Sequence, residues 1–80
     1  MLPRKKVQEG SEFILCNGKK ASTISLLKKE IKKLSDDEFS FHVNDKKNDF
    51  YNWIRDCINP MYAENIKDKK TKLELLNSLK

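Results

Sequence analysis

The segment spanning residues 41–56 holds the side chains whose types could do chemistry. It contains the only histidine and the only tryptophan of the 80-residue chain. His42 and Asp49 could serve as a general base and its orienting group, with Ser40 or one of the two cysteines as the nucleophile. No G-x-S-x-G turn and no glycine-rich phosphate loop accompanies them, and so short a chain has little room for a deep, dry cleft. We therefore expect no enzymatic activity and no bound cofactor.

The two cysteines, Cys16 and Cys57, have the spacing of neither a disulfide framework nor a zinc site. One histidine and two distant cysteines also fall short of the three or four protein ligands that zinc requires. Both cysteines have apolar neighbours in the sequence. We therefore expect two buried free thiols and no metal.

Polar residues surrounding the histidine favour a different interpretation. Asn and Asp side chains commonly hydrogen-bond backbone groups in turns and at helix N-termini, and a Trp can anchor a small core. The segment is either a polar clasp between two helices or a recognition surface that also uses Lys46 and an exposed Tyr51 or Arg55. The residues of the motif are His42, Asn44, Lys47, Asn48, Asp49 and Trp53.

Upstream of this segment, Asn17-Gly18 separates an apolar run from a second short segment. Such a pair is a strong signal for a β-hairpin with a type I′ turn, in which both central residues take positive φ. We predict strands over residues 12–16 and 19–21. Because an isolated hairpin is marginally stable, it must pack on helices.

The first helix is the clearest element, capped by Ser22 or Thr23 and running to Leu34. At about 100° per residue, its apolar residues lie on one face and its lysines on the other. The inward residues are Ile24, Leu27, Ile31 and Leu34, and the outward residues are Lys28, Lys29, Lys32 and Lys33.

Capping signals divide the remaining chain into short helices. Ser35 to Glu38 is a capping box that predicts a helix to about residue 42, with Phe39 and Val43 inward, although alternating apolar residues there also suit a strand. After a polar turn, Asn48 or Asp49 starts a helix to about residue 58. Its inward stripe is Phe50, Trp53, Ile54, Cys57 and Ile58.

Two further helices complete the prediction. Asn59-Pro60 opens a short helix over Met61, Tyr62, Ala63 and Ile66. Residues 71–74 form a second capping box, before a helix with Leu73, Leu76 and Leu79 inward. The predicted fold is mainly α (α+β), a compact bundle of four to five short helices with a small N-terminal β-hairpin. Residues 12–80 form this single domain, and residues 1–11 are a flexible basic tail.

The central motif resembles an uncharacterised family of small, mainly archaeal domains. Members read like an apolar strand with an N-G turn, a helix, and an H-V-N…K-N-D-F-x-x-W-I block. The resemblance covers about residues 12–66, and it implies a fold unit without an activity. One departure is "NPMYAEN", where members often have an acidic stretch and a Leu-Ala pair. The matching residues are Phe13, Asn17, Gly18, Phe39, His42, Val43, Asn44, Lys47, Asn48, Asp49, Phe50, Trp53 and Ile54.

The distribution of charge along the chain bears on two possible classes of function, protein interaction and nucleic-acid binding. The net charge is +5, and residues 1–34 carry nine Lys and Arg against three Glu, a charge of +6. The first expectation is an interaction or assembly module that contacts a protein partner or itself, through Leu26 or Leu75. The alternative is non-specific binding of the DNA or RNA backbone. The residues expected to bind nucleic acid are Arg4, Lys5, Lys6, Lys19, Lys20, Lys28, Lys29, Lys32 and Lys33.

Location follows from the absence of two signals. No apolar run approaches the roughly 18 residues of a membrane span, and the basic N-terminus lacks the apolar region of a signal peptide. We therefore expect an intracellular, cytoplasmic protein, nucleoid-associated if it binds nucleic acid, with neither a membrane nor a small-molecule substrate as partner.

Overall fold

The computed structural model describes residues 2–80, in which five short helices surround one apolar core and two small antiparallel sheets lie beside them. This confirms the predicted mainly α fold with a small hairpin. The strands are β1 (Phe13–Ile14), β2 (Lys20–Ala21), β3 (Val43–Asn44) and β4 (Lys47–Asn48). The helices are α1 (Ile24–Lys32), α2 (Asp36–His42), α3 (Asp49–Trp53), α4 (Pro60–Ala63) and α5 (Lys72–Ser78).

The first hairpin exists, but its turn differs from the predicted one. Phe13 pairs with Ala21, and the Leu15 N–H donates to the Lys19 carbonyl at 2.8 Å. Three residues therefore close the loop, and of these only Gly18 has a positive φ, 88°. The type I′ turn is wrong because it requires positive φ at Asn17 as well. A three-residue loop that ends in a left-handed glycine is the next common hairpin connection.

Helix α1 buries its apolar face in the core, as predicted, and it ends at Lys32, two residues before the predicted end. The Thr23 side chain accepts from the Leu26 N–H at 3.1 Å and caps the helix. The four residues of the predicted inward stripe are all buried. Helix α1 packs against β2 and α5, so the hairpin and the last helix cover its apolar face.

Helix α2 begins with the predicted capping box, in which the Ser35 and Glu38 side chains each accept from the other's backbone N–H. It runs to His42, so the helix is confirmed over the strand alternative, and Phe39 and Val43 are buried. The next residues form a second hairpin, β3–β4, in which Val43 pairs with Asn48. Only a polar turn was expected here, because two-residue strands are too short to show alternation.

The helix that follows starts as predicted at the Asn48 cap but changes its winding. Helix α3 passes into a π-helical segment over Ile54–Ile58, and the Asn59 N–H donates to the Ile54 carbonyl at 2.8 Å. Wider winding moves later side chains off the 3.6-residue stripe. Of the five residues expected inward, only Phe50 and Ile54 are fully buried. Trp53, Cys57 and Ile58 are half-buried.

The last helices also differ in detail from their predicted faces. Asn59 caps α4 with Pro60 at its first position, as expected, and a 3₁₀ turn follows over Glu64–Ile66. Leu75 of α5 and Leu79, the residue after the helix, are fully buried, whereas Leu73 is 71% exposed. The predicted stripe is wrong at Leu73 because α5 packs on α1 through the neighbouring i, i+4 pair.

Residues 2–11 run along the domain without regular secondary structure. Val7 is buried, and its N–H donates to the Ser22 carbonyl at 2.9 Å. The Glu12 carboxylate accepts from the Gly10 N–H at 2.8 Å, and backbone hydrogen bonds of this kind lower the pKa of Glu12. These contacts fix where the chain enters β1.

Candidate functional site

His42 lies at the centre of the polar motif, 3% exposed and surrounded by the rings of Phe13, Phe41 and Phe50. Its Nδ1 is 3.0 Å from Asp49 Oδ2, and its Nε2 accepts from the Cys16 N–H at 3.0 Å. In a neutral ring this arrangement places the proton on Nδ1, where it is donated to Asp49. The imidazole thereby ties the first hairpin loop to the start of α3.

We call the Cys16 N–H, His42, Lys47 and Asp49 the His42 cluster. Lys47 Nζ is 2.9 Å from Asp49 Oδ2, so that one oxygen accepts from both His42 and Lys47. A general base needs a free nitrogen within reach of the proton that it removes. In this structure both nitrogens of His42 have partners inside the protein.

The cysteines differ from their prediction as buried thiols. Cys16 is exposed because it lies in the loop of the first hairpin, and Cys57 is half-buried on the π-helical segment. Both are free thiols. Among residues 2–80, no three His, Cys, Asp or Glu side chains converge as metal ligands.

The side chains of the two asparagines of the motif hydrogen-bond backbone groups of the protein. Asn44 Nδ2 donates to the Ser40 carbonyl at 3.0 Å, and its Oδ1 accepts from the Lys46 N–H at 2.9 Å, which shapes the β3–β4 turn. Asn48 uses both ends of its amide. Its Oδ1 caps α3 at the Tyr51 N–H, and its Nδ2 donates to the Ile66 carbonyl, each at 3.0 Å.

Trp53 packs at the edge of the core. Its ring meets Phe13 edge-on with centroids 6.0 Å apart, and its Nε1 donates to the Ser11 carbonyl at 2.8 Å. The half-buried indole is therefore a strut between α3 and the N-terminal segment. Trp53 packs against the core as a partly buried residue, and the fully buried aromatic ring of this helix is Phe50.

A basic face covers the outer side of α1, as the helical spacing predicted. Lys29, Lys32 and Lys33 are exposed, and Lys28 is half-buried. Within the described chain the one carboxylate that pairs with this face is Glu30, whose Oε2 is 4.0 Å from Lys33 Nζ. We call these four lysines the α1 basic face.

The other predicted cationic residues do not form a comparable surface. Arg4, Lys5 and Lys19 are exposed. Lys6 and Lys20 line a shallow cavity together with Glu9 and Glu12, and these carboxylates offset their charge.

Arg55 is the one arginine outside the N-terminal segment, and its guanidinium is paired with the carboxylate of Asp56. Its Nε and one terminal nitrogen lie 2.9 and 3.3 Å from the two carboxylate oxygens of Asp56, and its guanidinium lies over the Tyr51 ring, 5.5 Å from the centroid. This pairing raises the pKa of Arg55 and lowers the pKa of Asp56. An arginine bound in this way offers fewer donors for base edges.

The sequence pointed to Lys46 and Lys47 as part of a recognition surface but not to the three further lysines beside them. Lys46 and Lys47 of the β3–β4 hairpin lie beside Lys67, Lys69 and Lys70, and together they line a groove of about 330 Å³. We call this feature the lysine groove. Residues 35–80 as a whole have a net charge of −1, from eight Lys and Arg against nine Asp and Glu. The available signal was the local repetition "KDKK" at residues 67–70, which the charge sum concealed.

Comparisons with family models, curated proteins and solved structures find no match to this chain. The resemblance seen in the central motif therefore remains a prediction. No helix within residues 2–80 combines the length and apolar character needed to cross a membrane.

Proposed function

We propose that the protein binds the phosphate backbone of nucleic acid through the α1 basic face. One observation carries the proposal: four lysines follow one side of a helix, and a single carboxylate approaches them, at 4.0 Å. Lysines without internal partners remain available for phosphates, which they contact without reading the bases. Two of them, Lys29 and Lys32, also lie in the last turn, where the helix dipole favours cations.

We place this function above self-assembly because only one of the two leucines expected to form the assembly surface is exposed. Leu75 is fully buried and cannot contact a second molecule, and Leu26 is 42% exposed. The Phe41 ring, 58% exposed, has Lys47 Nζ 4.6 Å from its centroid. Scattered apolar side chains of this kind are ordinary on a protein surface.

Self-association or contact with a protein partner is the second candidate. Leu26 and Leu73 are both exposed, on helices that pack against each other. A dimer formed there would enlarge the small core and double the charge offered to a duplex. A cytoplasmic location is part of the first proposal, and so is an association with the nucleoid if the nucleic acid is DNA.

Binding of labelled duplex DNA and single-stranded RNA, followed by fluorescence anisotropy at several salt concentrations, tests the first candidate. If four phosphates of duplex DNA are neutralised, log K should fall with log salt at a slope of about −3.6. Replacing the four lysines of the α1 basic face by Gln should abolish binding. Folding should persist, since exposed substitutions usually change stability by less than about 0.5 kcal/mol each.

The matched control removes the same charge elsewhere, by replacing Lys46, Lys67, Lys69 and Lys70 by Gln. This variant should retain most of the affinity for duplex DNA. If both variants lost the same affinity for duplex DNA, binding would depend on net charge and not on the α1 basic face. Unchanged affinity in the α1 variant would also contradict the proposal. Sedimentation of wild type and of Leu26→Glu tests self-association: a dimer that the charge disrupts supports it, and a monomer in both excludes self-association and leaves only a different protein as the partner.

A further inference from the structure

The lysine groove is a concave site built from two separate parts of the chain. One wall is the β3–β4 hairpin, and the other is the loop between the 3₁₀ turn and α5. Its volume, about 330 Å³, lies at the lower end of the range of small-ligand sites. Five lysines line it, with Asp45 as the one acidic residue among the lining side chains. The lining residues alone therefore carry more positive than negative charge, although Asp49, Glu64 and Asp68 next to the groove pair with Lys47, Lys67 and Lys69.

The ion pairs around the groove are weak enough to be exchanged for a ligand. Lys70 pairs with Asp45 at 3.2 Å, Lys69 with Asp68 at 3.6 Å, and Lys67 with Glu64 at 3.9 Å. These carboxylates are 96%, 82% and 56% exposed. Exposed pairs of this kind contribute little to stability. Lys46 has no carboxylate within ion-pair distance in the described chain.

We propose that the lysine groove binds a compact anion with two or more linked phosphate groups, such as a polyphosphate or the phosphate chain of a nucleotide. Lysine ammonium groups attract phosphates as point charges. Several of them around one concavity suit an anion whose charge is concentrated in a small volume. A phosphate chain would replace the exposed carboxylates as the partner of Lys69 and Lys70.

The shape of the groove distinguishes this site from the α1 basic face. A helix face is convex and presents its lysines along a line, which suits an extended backbone. The groove draws its lysines from two walls around one volume, which suits a short ligand. The two proposals are independent because they use different lysines and different anions.

Isothermal titration of the full chain with inorganic tripolyphosphate tests the proposal, with sulfate at equal ionic strength as the reference anion. In wild type, tripolyphosphate should bind and should shift the backbone NMR signals of residues 43–48 and 66–70. Replacing Lys46, Lys67, Lys69 and Lys70 by Gln should weaken binding by about tenfold or more. Lys47 is left in place because its ammonium contacts Asp49 in the His42 cluster.

The matched control is the variant with Gln at the four positions of the α1 basic face, which carries the same net charge. Its affinity for tripolyphosphate should change less than about twofold if the groove holds the ligand. Titration with a nucleoside triphosphate separates two sources of the same chemistry: equal affinity assigns the site to polyphosphate, and tighter binding assigns it to a nucleotide. Binding no tighter than that of sulfate, or equal losses in the two variants, would overturn the proposal.

Discussion

The His42 cluster and the α1 basic face both consist of polar side chains, but His42 is buried and paired whereas most lysines of α1 are exposed and, in the part of the chain that the structure describes, unpaired. In the cluster, every polar atom of the His42 ring has a partner, and the ring is 3% exposed. On α1, three of four lysines are exposed, and one carboxylate reaches them at 4.0 Å. Polar groups that are paired inside the protein stabilise the fold, whereas groups left unpaired at the surface can contact a partner.

The comparison separates structural from functional roles within a motif that looked chemically promising. Histidine, aspartate and a nearby cysteine suggest an active site when read as residue types. In the structure, the cysteine contributes its backbone N–H, and the histidine uses both nitrogens to join the hairpin loop to α3. Each of these hydrogen bonds joins two separate parts of the fold.

Replacing His42 with Ala should produce the largest effect. It leaves a cavity between three phenylalanine rings and removes the partner of the Cys16 N–H. We expect a loss of about 3 kcal/mol in the free energy of unfolding, from the cavity and the unpaired groups together. Urea denaturation followed by Trp53 fluorescence measures it.

The matched control in the same cluster is Lys47→Ala. Lys47 is 40% exposed, and the loss of its ion pair should cost less than about 1 kcal/mol. Both variants should bind duplex DNA like wild type under conditions where they are folded. A folded His42→Ala protein with normal stability and lost binding would move the histidine from the structural to the functional side of the comparison.

Asn48→Ala should have an intermediate effect, because it removes two hydrogen bonds with a single side chain. The cap of α3 and the bond to the Ile66 carbonyl are lost together. We expect a cost of about 1–3 kcal/mol, above that of a simple cap. Asn59→Ala is the comparator, since the Asn59 side chain contacts only the first N–H groups of α4. Equal costs in chemical denaturation would show that the Ile66 contact contributes no more than the second capping bond of Asn59.

Much of the fold was predictable because local rules determine it. The Ser35 and Asn48 caps, the Asn59-Pro60 helix start and the α1 stripe each depend on neighbouring residues, and all are present. The errors arise where tertiary packing decides. The π-helical winding moves Cys57 and Ile58 off the predicted stripe, and the packing of α5 on α1 buries Leu75 and exposes Leu73.

The candidate sites also differ in whether local sequence or tertiary packing brings their residues together. The α1 basic face could be predicted because helical spacing alone places its lysines on one side. The lysine groove could not, since it joins residues about 20 positions apart through the β3–β4 hairpin and a loop without periodicity. The partners of His42 were predictable only in part. Asp49 is near in sequence, whereas the Cys16 N–H is 26 residues away.

Tyr62 is a third case, a polar group that is buried but unpaired. Its hydroxyl oxygen is inaccessible and has no hydrogen-bond partner of ordinary geometry among the described residues; a weak interaction with the Lys80 backbone lowers its pKa by less than burial raises it. Burial raises the pKa of Tyr62 above its ordinary value of 10.0, because the phenolate would lose its hydration. If pairing decides whether a buried polar group stabilises the fold, removing this hydroxyl should cost nothing.

Tyr62→Phe should therefore change the free energy of unfolding by less than about 1 kcal/mol at neutral pH, in the stabilising direction. Since the pKa is higher in the folded than in the unfolded state, wild-type stability should fall as the pH rises above about 10. The variant lacks this titration, so its advantage in urea denaturation should grow between about pH 9 and pH 11. Tyr51→Phe is the control: its hydroxyl donates to Glu64 at 2.9 Å, and losing it should destabilise the protein slightly. An advantage of Tyr62→Phe that stays constant with pH would contradict the burial of the hydroxyl and weaken the comparison.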